Sequence, residues 1–389
     1  MPDEPATSPA LNPVHDQPDD PKQPTDGIAL CLSGGGYRAM LFHLGSLWRL
    51  NQLRYLKKLD RVSSVSGGSI TSGVLAMNWS KLGFDANGFA QNFDQQVTQP
   101  LRRMASESID VSSILEGVFG GVSKHVIAHY NEYLYNHAKL KDLPNDNEGP
   151  RFVFNATSLQ TGVLWRFSKP FMGDWKVGLV RNPDVELATA VAASSAFPPL
   201  LSPCVVQLDP NSFDKDIPPA AGIKLPDFRK QAVLADGGVY DNLGLETAWK
   251  LNKTILVSNG GGALGTEADP KHDWISQTNR VLLTIYSQVV TLRTRSIVEL
   301  YKLKVRDGSY WGIGSNILNY ELPNALVCPF DVTLKLAETA TRLTAMESQV
   351  QEQLIDWGYA VCDAAMRKHV LPPGAPAPSA SPYGIFKKP

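Results

Sequence analysis

Short apolar runs of strand length alternate along this chain with longer stretches in which apolar residues recur every three or four positions. Residues 28–32 (Ile-Ala-Leu-Cys-Leu) form the first run, and Leu41, Leu44, Leu47, Trp48 and Leu50 follow it at helical spacing. Residues 62–65 form a second run, trailed in the same rhythm by Ile70, Val74, Leu75 and Met77. Phe152-Val153-Phe154 and Val163-Leu164-Trp165 read as strands on either side of the turn-prone Gln160-Thr161-Gly162. Residues 185–195 make an Ala-rich helix that Pro198-Pro199 stops. Val233-Leu234-Ala235 and Thr254-Ile255-Leu256-Val257 are further short strands, and long helical patterns occupy residues 274–304 and 340–369. Continuous apolar strands alternating with helices predict an α/β fold whose mostly parallel sheet is covered on both faces.

The flanks are of another kind. Residues 1–26 carry seven prolines among acidic and polar residues, too little apolar area to offset ordering, and read as a disordered tail. The Pro/Ala-rich residues 371–389 read as a second tail, which leaves one catalytic domain over residues 27–370. Inside it, residues 84–143 mix glycines with Leu115, Val118, Phe119, Val122, Val126 and Ile127. That segment is either a helical insertion packed on the sheet or a mobile cap whose apolar face touches a bilayer.

A formal net charge of −1 gives no global pull toward nucleic acid, so none is expected as a partner. No run approaches the roughly 20 apolar residues of a membrane-spanning helix. The N-terminal residues lack the pattern of a secretion or transit signal, and the four cysteines are scattered without metal-type spacing. Buried free thiols in a cytoplasmic protein, working in solution or peripherally at a membrane, are expected.

Two glycine-flanked turns carry the candidate chemistry. In Ser33-Gly34-Gly35-Gly36-Tyr37-Arg38, three successive glycines let main-chain N–H groups converge on one point, as an oxyanion hole or a phosphate cradle requires. No Lys-Ser/Thr pair follows the loop, and the spacing is not that of a dinucleotide fold. In Ser64-Val65-Ser66-Gly67-Gly68, Ser66 stands at a strand-to-helix bend with small residues two before and two after it. Gly67 N–H would add a donor, and the following helix adds partial positive charge. The same pattern also describes a helix N-cap serine with no chemical role.

Asp236 ends an apolar strand before Gly237-Gly238 and is the candidate base, reaching the sheet edge where Ser66 and the glycine loop also emerge. Arg38 either steadies the loop or meets a polar substrate group. Histidine is the usual base in serine hydrolases. Here His15 and His369 lie in or beside the tails, His43 belongs to helix packing, and His137 and His272 have no relay context. His125 and His129 lack the glutamate that a zinc-protease helix would place at Val126. A Ser–Asp dyad fits better than a triad.

Taken together, these motifs resemble the patatin-like phospholipase family. Residues 33–38 are similar to its glycine-rich oxyanion loop, residues 64–68 to its nucleophile elbow, and residues 236–238 to its DGG motif. Residues 192–198 (Ala-Ala-Ser-Ser-Ala-Phe-Pro) are similar to the proline-containing block between them, with Asn155-Ala156-Thr157 and Asp241-Asn242 in familiar company. Ser64 replaces the first elbow glycine, and Ala39 stands where many members have glycine.

The resemblance implies a three-layer α/β/α sandwich and lipid acyl-ester hydrolysis through an acyl-serine intermediate, with no metal and no cofactor. Ser66 and Asp236 would be catalytic, with Gly34, Gly35, Gly36 and Gly67 forming the oxyanion hole. Phospholipase A, lysophospholipase and general carboxylesterase activity all fall within it. The alternative is a non-catalytic scaffold that keeps the loop to hold a lipid or phosphate. A carboxylate is a weaker general base than imidazole at neutral pH, so the leaving group must depart easily. Esters are expected to turn over far faster than matched amides in a steady-state assay, and comparable rates would refute the dyad chemistry.

Overall fold

The computed structural model describes residues 24–109, 121–217, 219–220, 223 and 225–388. The chain opens with β1 (Thr25–Leu32), α1 (Gly36–Gln52), β2 (Leu59–Ser64) and α2 (Gly67–Met77). Two further helices, α3 (Gln99–Ala105) and α4 (Gly121–Tyr130), precede β3 (Arg151–Ser158), β4 (Leu164–Phe167), β5 (Phe171–Asp174) and β6 (Gly178–Arg181). Then come α5 (Leu187–Ser194), β7 (Cys204–Gln207), α6 (Leu225–Phe228), β8 (Gln231–Asp236) and α7 (Gly238–Asp241). The chain continues through β9 (Asn252–Asn259), α8 (Trp274–Lys302), β10 (Asp307–Gly312), α9 (Phe330–Ala337) and α10 (Ser348–His369).

The strands form one sheet in the order β10-β9-β1-β2-β3-β4-β5-β6, with β8 on β3 and β7 on β8. From β10 to β3 every pairing is parallel. Beyond β3 the sheet continues as an antiparallel meander, and β8 also runs antiparallel to β3. Alternation along the strands feeds both faces. Leu30 and Leu32 of β1 and Leu256 of β9 enter a large core shared with α1, α2 and α10. Ala29, Cys31, Ile255 and Val257 point the other way, against Leu243, Leu245 and Ile297. Helices thus cover both faces, which makes this an α/β fold in three layers.

The direction of β8 decides the architecture. β3 pairs with β2 through residues 151–154, with β4 through 154–157 and with β8 through 156–158. Because β4 overlaps both of the others, it lies on the opposite edge, and β2 and β8 share one edge of β3. They run toward each other along that edge, so the C-terminal ends of two strands distant in sequence meet beside Asn155.

Helix α10 completes the core from outside the motif region. A side-chain carbon added at Gly45 of α1 would overlap the Ile355 carbonyl, and one at Gly358 of α10 would overlap that of Phe42. The two backbones are therefore in direct contact. A buried ion network flanks the crossing, with Asp363 receiving Arg49 at 2.7 Å and Arg367 at 2.8 Å.

Several expectations need correction. Strand β1 begins at Thr25, two residues before the expected boundary at 27. Helix α10 starts at Ser348 rather than near 340, because the preceding residues bond elsewhere: Arg342 O accepts from Tyr37 N, Leu343 O from Ile109 N, and Met346 N donates to Ala105 O. Residues 371–388 are no free tail. Ser381 donates to buried Asp356, Phe386 packs edge-on to Trp357, and Val327 N donates to Lys387 O. Within 84–143, the described residues belong to the core through Met104, Val126, Tyr130 and Tyr135, with Val122 and Ile127 packed on it. Leu115, Val118 and Phe119 lie outside the described residues. The four cysteines are free and buried.

Since α1 and α10 touch backbone to backbone, Gly358→Ala forces them apart and is expected to cost about 3 kcal/mol, read as a lowered urea midpoint with an unchanged slope.

Candidate active site

Ser66 sits just past the end of β2, and Asp236 closes β8 on the same edge of β3. The head-to-head strands bring the two candidate side chains together, close enough for the Ser66 hydroxyl to favour the ionised form of Asp236. Asp236 was expected to reach this edge as the end of a parallel strand. It arrives instead from the opposite direction, on an antiparallel strand that pairs with the part of β3 extending beyond β2.

The elbow around Ser66 is held by close backbone packing. Ser66 has φ 51° and ψ −121°, a conformation that non-glycine residues rarely adopt and that costs roughly 1–3 kcal/mol. A carbon added at Gly67 would overlap the Gly36 carbonyl, and one at Gly68 would lie 2.5 Å from the Leu32 oxygen. Only glycine fits at either position, so the turn is pressed onto the first glycine loop. Ser66 occupies the N-cap of α2, yet its side chain makes no capping bond. The absent cap bond speaks against the purely structural use of this serine. Ser64 is accommodated in place of the first elbow glycine because it is buried with its hydroxyl satisfied, donating to Val153 O and accepting from Ser69 Oγ.

The glycine loop divides into engaged and open N–H groups. Gly34 N donates to both the carbonyl and the side-chain oxygen of Asn242, at 3.2 and 3.1 Å. The Gly34 amide, expected as an oxyanion donor, is thus engaged by Asn242 just past α7. Among the described residues no acceptor takes the N–H groups of Gly35, Gly36 or Gly67. Gly35 (φ 142°) and Gly36 (φ 60°) hold backbone angles that favour glycine. Ala39 packs its methyl against Gly35 and Gly260.

Arg38 serves the loop. Its Nε donates to Gly260 O at 3.1 Å and its Nη1 to Thr339 O. His43 lies beneath, buried, with Nδ1 on Ser258 Oγ at 2.8 Å and Nε2 on Ser33 O at 2.9 Å. Burial lowers its pKa to about 4, so the imidazole is neutral at physiological pH and tied to the loop's backbone. His129 stacks on Tyr133, and His137 pairs with Glu186 at the surface.

Burial pushes the Asp236 pKa up to about 7, against the opposing effects of the Gly238 N–H and the Ser66 hydroxyl. Gly238 N donates to Oδ1 at 2.7 Å, and Thr157 Oγ1 holds the residue's own carbonyl at 2.8 Å. A base poised near neutrality is the kind general catalysis favours.

Sequence reasoning did not assign the residues that fix this geometry. Ser194 Oγ accepts from Ser66 N at 3.0 Å and donates to Asn155 O at 2.7 Å, tying the strained elbow to β3. Asn155 Nδ2 donates to Ser63 Oγ and Ser64 O, both at 2.9 Å. Asp241, buried, pairs with Arg293 of α8 at 3.5 Å. The Tyr286 ring of α8 lies against Gly238 and stacks edge-on to Phe197. Ser194, Asn155 and Asp241 were visible only as members of familiar motifs, and nothing in the sequence singled out Tyr286 or Arg293.

The family model for patatin-like phospholipase matches residues 30–249, and the chain belongs to this family. A search of curated proteins returns no match. Among solved structures, the fold is similar to human GIVD cytosolic phospholipase A2 in complex with methyl gamma-linolenyl fluorophosphonate and terbium chloride. The TM-score is 0.51 at 14% identity, over 90% of this chain and 59% of that one. VipD from Legionella pneumophila is also matched, at TM-score 0.36 and 16% identity, over 88% of this chain and 66% of that one. The chain therefore spans less than two thirds of either protein's length, and at such identities the likeness is one of fold.

The raised Asp236 pKa also makes stability depend on pH. An unfolded aspartate ionises near 3.8, whereas the folded one keeps its proton to about 7. As pH rises between those values the unfolded state releases the proton first, so the wild type loses on the order of 4 kcal/mol. Asp236→Asn is expected to escape that loss. Urea unfolding of both proteins at pH 4.5 and 8 checks it: the variant's relative stability should grow at the higher pH.

Proposed function

We propose that the chain is a carboxylic-ester hydrolase acting on lipid acyl esters with Ser66 as nucleophile and Asp236 as base. The observation that carries this reading is the meeting of strained, uncapped Ser66 with Asp236, a buried carboxylate whose pKa burial raises to about 7, at the facing ends of β2 and β8. Ser66 Oγ attacks the acyl carbonyl while Asp236 takes its proton. The tetrahedral oxyanion is held by the open N–H groups of Gly35, Gly36 and Gly67, at the positive end of α2. Collapse of the tetrahedral species breaks the acyl carbon–oxygen bond. The leaving alkoxide receives the proton from Asp236, and the acyl group remains on Ser66. Asp236 then deprotonates a water that attacks the acyl-serine, and the proton returns to Ser66 as the fatty acid leaves. No step calls for a metal or cofactor.

Family membership supports this substrate class, as does the exposed Phe197, whose ring packs on Tyr286 beside Gly238. Phospholipase A, lysophospholipase and simple carboxylesterase activity are all consistent with it. Arg38 supports the loop in this scheme and does not contact substrate.

A fluorophosphonate probe tests the reading. It is expected to label the wild type at Ser66, and Ser66→Ala should abolish labelling and lower kcat by at least about 10³-fold while leaving the fold intact. Because the base must be ionised, kcat/KM should rise with pH through an inflection near 7. A folded wild type that neither labels nor turns over esters would favour a lipid- or phosphate-holding scaffold.

A further inference from the structure

Helix α8 meets the end of β8 through Tyr286. A side-chain carbon placed at Gly238 would lie 2.9 Å from Asp236 Oδ1, 2.7 Å from Asn242 Oδ1 and 3.1 Å from Tyr286 Cε2. The tyrosine ring and the carboxylate therefore border the same small space beside the DGG turn. Tyr286 also meets Phe197 edge-on, with ring centroids 6.2 Å apart at 86°. Phe197 is itself fixed near the carboxylate, because the preceding Ala196 O accepts from Asp236 N at 2.8 Å and Phe197 N donates to Ser195 O at 2.8 Å. Two aromatic rings from distant parts of the chain thus meet beside Asp236.

The surroundings of Asp236 show what such a cover does. Its titratable neighbours are Ser66 at the elbow, Tyr130 of α4 and Tyr286 of α8, all neutral, and α7 adds the Gly238 amide on Oδ1. β3 and α5 hold only its backbone, through Thr157 Oγ1 and the Ser194 and Ala196 carbonyls. Arg38 and Asp241 also face Tyr286, but the arginine is committed to Gly260 O and Thr339 O and the aspartate to Arg293. With no cation among the described residues offsetting its charge, exclusion of water is what raises the proton affinity of this carboxylate. Tyr286 is half-buried and Phe197 is exposed, so the pair stands at the boundary between buried Asp236 and solvent. Burial holds the tyrosine hydroxyl well above its usual pKa, and the residue stays uncharged at any working pH. Its contacts with Gly238 and Phe197 are made by the ring.

On the reading of Asp236 as base, we propose that Tyr286, braced by Phe197, is a positioning residue whose ring keeps water off the Asp236 carboxylate, so that α8 supplies part of the acid–base site. Admitting water favours the ionised carboxylate, so removing the ring lowers the pH at which Asp236 gives up its proton. The full chain is compared as wild type, Tyr286→Phe, Tyr286→Ala and Phe197→Ala. One readout is the pH dependence of kcat/KM on a water-soluble short-chain ester. The other is a carbon-13 NMR titration of the Asp236 carboxyl without substrate, its signal assigned by its loss in Asp236→Asn. Tyr286→Ala is expected to move both midpoints down by about one pH unit, a tenfold change in proton affinity, and Phe197→Ala to move them the same way by less. Tyr286→Phe keeps the ring and should leave both in place. A tyrosine with a merely structural role would lower kcat or the urea midpoint and move neither inflection, and that result overturns the proposal. An equal shift in Tyr286→Phe also overturns it, because the hydroxyl would then be responsible. Should Tyr286→Ala not fold, Phe197→Ala decides by the same criterion. A wild type that hydrolyses no ester would remove the proposed activity, while the substrate-free titration would still decide whether the ring covers Asp236.

Discussion

Two strand ends running toward each other along one edge of β3 set the rest of the structure. β2 delivers Ser66 and β8 delivers Asp236, and the gap between them is closed by backbone alone. A carbon at Gly237 would overlap the Asn155 carbonyl, and a carbon at Gly67 would overlap that of Gly36. These contacts leave no freedom to relax the Ser66 backbone, which keeps its unfavourable φ because the surrounding turns over-determine it. Ser194 adds a hydrogen bond to the Ser66 amide from the end of α5. The site is thus a junction of three turns, each held by the other two, and its precision comes from main-chain packing more than from side-chain interactions.

Electrostatics follows from that closeness. The junction excludes water from Asp236, which is 2% exposed, and burial raises its pKa to about 7. Burial likewise keeps His43 neutral, with its ring nitrogens on Ser258 Oγ and Ser33 O beneath the glycine loop. Arg38 and Arg293 remain cationic but are turned away from the dyad, one toward the Gly260 and Thr339 carbonyls and the other toward Asp241 and Glu246. In the proposed mechanism the open N–H groups of the two glycine turns meet the developing oxyanion.

Much of this was legible in the sequence because the parts with chemistry are the parts with tight local constraints. Apolar runs at 28–32 and 254–257 mark the parallel strands, and glycine clusters mark the turns that Ser66 and Asp236 occupy. What escaped is what depends on partners far along the chain. β5, β6 and β7 have four residues each, and β10 reads Asp-Gly-Ser-Tyr-Trp-Gly; such segments show no period. The direction of β8 leaves no local trace, so the convergence of Ser66 and Asp236 was foreseen while its geometry was not. Residues 371–388 looked unstructured by composition, yet Asp356 and Trp357 provide a docking place for them. The engagement of Gly34 by Asn242, like the placing of Tyr286 on the DGG turn, is a tertiary event between residues that no motif connects.

The central claim is that Ser66 becomes covalently acylated during turnover. Intact-mass and peptide-mapping mass spectrometry of protein quenched in acid during hydrolysis of a long-chain acyl ester tests it most directly. An adduct of the acyl mass on the peptide containing Ser66, absent from Ser66→Ala and accumulating when Asp236→Asn slows deacylation more than acylation, is the expected result. Turnover without any such adduct, or an adduct on another residue, would contradict the account.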